Sequence, residues 1–193
     1  MKADRRRAPT AAALALGLAV LAGDLGGAHP AAMPPLARFD GRWFEIAGYG
    51  SWWQRRCLAD TTLEITAAAA AEATLRSRCR TAAGREVRDG RLKADSEDGR
   101  WQARFAPRIF AWLPAVWGDF WILAHDDRLA WMVVGERSHQ RLAIFARTPA
   151  LDEAALAQAT AAARRAGFDV DRLTRTLHDP DEWRTAVGSA RRE

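Results

Sequence analysis

Trp101-Gln102-Ala103-Arg104-Phe105 alternates residue by residue: Trp101, Ala103 and Phe105 share one face, Gln102 and Arg104 the other. A period of two marks a strand with one dry and one wet face. Leu63 and Ile65 alternate with Glu64 in the same way, and Leu75, Ser77 and Cys79 alternate with Arg76, Arg78 and Arg80. Turn-forming residues separate these runs at Ala82-Ala83-Gly84, Glu97-Asp98-Gly99, Asp126-Asp127 and Gly135 to Gln140. The pattern predicts strands near 41–49, 58–66, 73–81, 86–94, 100–106, 119–125, 129–135 and 141–147. The alanine run 67–71 has helix propensity, but it falls between two strands and reads as a long hairpin connection. Short strands at this spacing favour an antiparallel barrel or sandwich.

A helix follows the strands. Asp152 is a good N-cap, with Leu151 and Leu156 placed as a hydrophobic staple. Arg164 and Arg165 suit the negative end of the helix dipole, and Gly167 suits the position after the cap. Ala155, Leu156, Ala159 and Ala163 form a shallow apolar stripe that can lie close on a sheet. A short last strand is expected over about 170–177, and residues 179–193 read as a mobile tail.

The chain has 193 residues, 49% hydrophobic and 27% charged. That excludes a mostly disordered chain and fits one domain. No apolar run reaches the roughly 18 residues that a membrane-spanning helix needs. Lys2 and Arg5-Arg6-Arg7 precede the apolar stretch Ala11 to Ala22, the layout of a secretory signal over 1–28 with cleavage after Ala28. Leu21-Ala22-Gly23 is followed by Asp24 and not by the cysteine of a lipoprotein box, so no lipid anchor is expected. The expected location is the periplasm, or association with the outer membrane. Cleavage would lower the formal charge from +5 to +3, too mild to argue for nucleic acid. Cys57 and Cys79 lie on neighbouring predicted strands, and export makes a disulfide between them the expectation, with two free thiols as the alternative.

His29, His125, His139 and His178 have no metal-ligand spacing. There is no G-x-S-x-G, P-loop or G-x-G-x-x-G, so no catalytic residue, metal or cofactor is assigned.

Three blocks carry a family likeness: Gly41-Arg42-Trp43-Phe44-Glu45-Ile46-Ala47, then Gly118-Asp119-Phe120-Trp121-Ile122-Leu123 running on to Gly135-Glu136, then Phe145-Ala146-Arg147-Thr148-Pro149 before the helix. In order and spacing, from about residue 36 to 178, the chain resembles the lipocalins, specifically bacterial and plant members related to apolipoprotein D. The resemblance implies an all-β fold: an eight-stranded up-and-down antiparallel barrel with one C-terminal α-helix on its outside. It implies binding of a small hydrophobic ligand, a fatty acid or lysophospholipid, for storage or transport in the bacterial cell envelope. It also implies structural roles for Trp43 and Arg147, with the guanidinium packed across the indole at the closed end. Two alternatives stand beside this reading: an enzyme built on the barrel, and a side-chain-filled barrel acting as an envelope interaction or stress protein.

Strand parity anchored at Trp43 and Arg147, together with the family placement of the second block, gives an inward set. It comprises Glu45, Ala47, Tyr49, Phe120, Ile122, Met132, Val134, Ala143 and Phe145, with Arg141 near the mouth. A buried Glu45 needs a partner, either an inward arginine or the ligand. Arg141 is expected either to meet a ligand headgroup or to point into solvent. Relatives often carry aromatics at the positions of Arg141 and Ala143, which implies a wider pocket here. Trp52-Trp53 and the stretch Phe110, Trp112, Leu113, Val116, Trp117 place apolar rings on loops. Such rings serve a pocket rim, a homodimer patch or peripheral membrane contact, or simply pack as a lid.

Overall fold

The computed structural model describes residues 34–50, 56–69, 71–94, 100–106, 108–110 and 112–180. The expected signal over 1–28, Trp52-Trp53 and residues 181–193 of the expected tail lie outside the described residues. Eight strands run in chain order: β1 Gly41–Tyr49, β2 Ala59–Ala69, β3 Glu72–Thr81, β4 Gly84–Ala94, β5 Arg100–Arg104, β6 Gly118–His125, β7 Trp131–Gly135 and β8 Leu142–Ala146. Each pairs antiparallel with the next, and β1 pairs with both β2 and β8, which closes the sheet into a barrel. Closure leaves no long free edge, and alternate side chains fill the inside.

Inside, Trp43, Leu63, Leu75, Leu92, Trp101, Ile122, Met132 and Phe145 share one buried cluster with Leu36 and Phe39 of the 3-10 turn Leu36–Phe39. Outside, Phe44, Ile46, Trp131, Val133 and Ile144 form a second cluster with Ala159 and Ala163 of helix α1, Glu153–Arg165. The Asp152 side chain accepts from the Ala155 N–H, which caps the helix. Phe168 N–H donates to the Ala163 carbonyl and Gly167 N–H to Arg164, with Gly167 at φ +86°. That is a Schellman ending, and the left-handed residue it needs is glycine here.

The outer faces of β2, β3 and β4 form an ion-pair ladder. Arg78 meets Glu64 at 2.7 Å, Arg80 meets Asp60 at 2.7 Å, and Arg76 meets Asp89 at 2.6 Å. Exposed pairs of this kind contribute little each.

Three expectations need correction. The alanine run does not make a long connection: β2 continues to Ala69 and β3 starts at Glu72, with Ala67 facing Ala73. Cross-strand pairing overrides the helix propensity of alanine there. Arg104, on the expected wet face of β5, is buried, because Trp117 lies over its guanidinium at 5.2 Å. The last strand is short: a 3-10 turn occupies Val170–Arg172, and β9 is only Thr174–Arg175.

β9 nevertheless has a clear task. β1 pairs with β2 only over Gly41–Phe44, and the two strands then diverge. The C-terminal segment fills the gap. Arg175 and Thr174 pair with Ala47 and Gly48, the Thr176 N–H donates to Ile46, and the Asp60 N–H on the other side donates to Leu177. Thr176 Oγ1 donates to Glu45 Oε1 at 2.8 Å, and the Asp179 N–H donates to Asp60 Oδ1 at 2.7 Å.

Burial alone would raise the Asp60 carboxyl, but the Arg80 hydrogen bond, the Asp179 N–H and the Arg80 and His178 charges outweigh it and hold the group below its ordinary value. A lowered carboxyl stabilises the fold fully above the ordinary carboxylate range and loses that contribution as pH falls through the lowered value. Amide protection at Thr176 and Asp179 should therefore fall on acidification below about pH 4, and Asp60→Asn should flatten that response. Hydrogen exchange across a pH series measures it. Protection that is independent of pH in the parent chain would contradict the assignment.

Candidate functional site

The inner cluster fills the closed end only. Toward the other end the barrel opens into a cavity of about 620 Å³. Every barrel strand contributes to its wall: Glu45, Leu63, Ser77, Arg88, Ala103, Phe120, Val134 and Ala143, from β1 to β8 in order. Phe105, Val116 and Trp117 of the β5–β6 connection close over one side of the mouth. The size suits one small molecule, and the wall is mainly apolar with a few charged groups, the usual character of a ligand site.

The charged groups are paired. Arg141 forms an ion pair with Glu136, and Ser138 Oγ donates to the same carboxylate. Glu136 is buried and Arg141 half-buried, so this pair sits where the apolar wall meets the mouth. Arg88 pairs with Glu86 at 2.5 Å on the inward face of β4. Lys93, which does not line the cavity, lies over the Trp117 ring at 4.3 Å. Glu45 is 8% exposed, takes the Thr176 hydroxyl, and lines the cavity.

The expected inward set divides in three. Glu45, Phe120, Val134, Arg141, Ala143 and Phe145 line the cavity. Ile122 and Met132 point inward but lie in the packed cluster toward the closed end. Ala47 and Tyr49 leave the set. The β1–β8 register slips between Glu45 and Ala47, a bulge that reverses parity beyond it. Gly48 takes the inward place, with its missing Cβ 3.4 Å from Glu45 Cδ. Tyr49 packs with the outer cluster instead, under the Arg172 guanidinium at 4.3 Å. Its burial raises the phenol's pKa, against the opposing Arg172 charge.

Arg88, Leu63 and Ser77 line the cavity and are absent from the expected set. The missed signal was parity with Leu92: counting back by twos along β4 reaches Gly90 and Arg88.

At the closed end, the Arg147 guanidinium lies 3.7 Å from the centre of the Trp43 ring. It donates to the carbonyls of Asp40 at 2.7 Å, Arg42 at 3.3 Å, Arg38 at 3.3 Å and Leu129 at 3.3 Å. Desolvation lowers the guanidinium's pKa, with the Asp40 charge opposing it. Neither side chain lines the cavity, and the pair fastens the closed end.

The lipocalin-like domain family matches residues 35–178, nearly all of the described barrel and its helix. The chain belongs to this family. Temperature-induced lipocalin-1 of Arabidopsis thaliana is 28% identical over 154 residues, which cover 77% of this chain and 83% of the plant protein. Among solved structures, lobster apocrustacyanin A1 superposes with a TM-score of 0.59 at 14% identity, covering 75% of this lipocalin and 79% of the crustacyanin chain. The siderocalin Ex-FABP gives 0.56 at 12% identity, over 74% and 95% of the two chains. At such identities the structures speak for the fold alone. Lipocalin folds generally hold small hydrophobic ligands, and family members are typically binding proteins and not enzymes. Among the described residues of this lipocalin, no three His, Cys, Asp or Glu side chains gather as metal ligands.

Cys57 and Cys79 are joined in a disulfide, with Cα atoms 5.5 Å apart. It ties the segment before β2 to β3 near the mouth.

Proposed function

We propose that this lipocalin holds one anionic or zwitterionic amphiphile, a fatty acid or lysophospholipid, and stores or carries it in the bacterial cell envelope after export. The observation that carries this is the cavity of about 620 Å³, apolar within and charged at Arg141–Glu136. A barrel filled by its own side chains would have no such space. The acyl chain would enter the apolar part, where each buried CH₂ contributes about 0.8 kcal/mol. Mass spectrometry of lipids extracted from the purified chain tests the reading. Recovery of a stoichiometric amphiphile supports it, and failure to take up any added fatty acid or lysophospholipid rejects it.

The Arg141–Glu136 pair makes the headgroup role specific. With the guanidinium already neutralised, acid should be favoured over its methyl ester only modestly in the parent chain. Glu136→Gln removes the carboxylate charge beside Arg141 and should strengthen the preference for acid by about tenfold, within the range of a charge-assisted hydrogen bond. Adding Arg141→Gln should abolish that gain. Competition binding of a fatty acid and its methyl ester reads both. An unchanged ratio in Glu136→Gln would place the headgroup elsewhere.

A further inference from the structure

Among the described residues, the strongly exposed large apolar side chains are unevenly placed. Ile109 is 74% exposed, Trp112 76% and Phe110 45%, all in the β5–β6 connection. Leu58 precedes β2, and Val87 lies three residues beyond the β3–β4 turn; both are exposed on the same end of the barrel. Leu177, 70% exposed, lies on the C-terminal segment, where its carbonyl accepts the Asp60 N–H, and none is found around the 3-10 turn and the Trp43–Arg147 pair at the closed end. The connection carrying Ile109 and Trp112 continues through Val116 and Trp117, which line the cavity. One short segment therefore joins an apolar exterior to an apolar interior.

The charge at this end is net positive. Segments 56–60, 79–88, 104–119, 135–141 and 168–179 hold ten arginines (Arg56, Arg80, Arg85, Arg88, Arg104, Arg108, Arg137, Arg141, Arg172 and Arg175) against Asp60, Glu86, Asp119, Glu136, Asp169, Asp171 and Asp179. Arg80, Arg88 and Arg141 are already ion-paired with Asp60, Glu86 and Glu136, and the local excess is three. Exposed apolar rings flanked by guanidinium groups complement an anionic lipid surface. The rings enter the headgroup layer, and the cations meet phosphate. A second protein copy would bring the same positive rim against itself.

We propose that this lipocalin docks mouth-down on anionic bilayers, inserting Ile109, Phe110 and Trp112, so that an amphiphile passes between membrane and cavity without crossing water. The cargo part rests on the lipid-binding reading above; the docking part rests on the rim alone.

The test uses the full chain and an Ile109→Ser/Trp112→Ser variant, whose exposed positions leave the core intact. Vesicles are phosphatidylcholine alone or mixed with phosphatidylglycerol. Partition onto the mixed vesicles should be at least tenfold weaker for the variant, should weaken with added salt, and should be far lower on phosphatidylcholine alone. Hydrogen exchange should show bound vesicles protecting residues 108–117 in the parent chain. Equal partition of variant and parent overturns the proposal, as does binding without that protection, which would locate the contact elsewhere. A concentration-dependent dimer lost in the variant, with no vesicle binding, would make the patch a contact between copies and also overturn it. Fatty-acid affinity without vesicles should be the same in both chains. A parent chain that docks but takes up no fatty acid would reject the cargo reading and leave the docking standing.

Discussion

Trp43→Ala should lower the free energy of unfolding by about 3–5 kcal/mol, the range for removing a large buried aromatic side chain. Trp43 is fully buried. Its indole N–H donates to the Phe39 carbonyl at 2.7 Å, and its ring supports the Arg147 guanidinium. Truncation leaves a cavity, an unsatisfied carbonyl and a half-buried cation without its ring. Urea titration measures the loss. Fatty-acid affinity of the fraction that stays folded should change little, because the ring does not line the cavity. A stable Trp43→Ala protein that no longer binds would move Trp43 from fastening to recognition.

Replacing both cysteines by serine should cost on the order of 3 kcal/mol, since the link closes a loop between residues 22 apart in sequence. Much of that effect arises in the unfolded chain, which gains freedom without the link. Reductant should bring the parent chain to nearly the same unfolding midpoint as the Cys57→Ser/Cys79→Ser variant. A parent chain insensitive to reductant, or full thiol labelling under denaturing, non-reducing conditions, would contradict the link.

The strands were legible where side-chain alternation is simple. Trp101, Ala103 and Phe105 do point inward together, and the helix lies where Asp152 and Gly167 bracket it. Parity failed where the backbone breaks its period. The slip after Glu45 inserts one residue into β1, and nothing in Ile46-Ala47-Gly48-Tyr49 announces it. Tyr49 accordingly falls under the helix-side layer and away from the cavity. Arg141 lies toward the mouth, and its ion pair with Glu136 joins opposite sides of the β7–β8 turn and became visible only in three dimensions. The partners of Glu45 include Thr176, and a separation of 131 residues is beyond any local pattern. Arg104 shows the same limit from another side: its burial depends on a ring from a separate segment.

The filling of the β1–β2 gap by Thr174 to Asp179 also sets an order of events during synthesis. β1 leaves the ribosome early, yet the partners of its upper edge are almost the last described residues to be made. Until they arrive, the N–H and C=O groups of that edge have no place in the sheet, and such an edge is a template for strands of other chains. The newborn chain thus passes through an interval in which it is prone to sticking, and that interval ends only when its own last segment seats against the first strand.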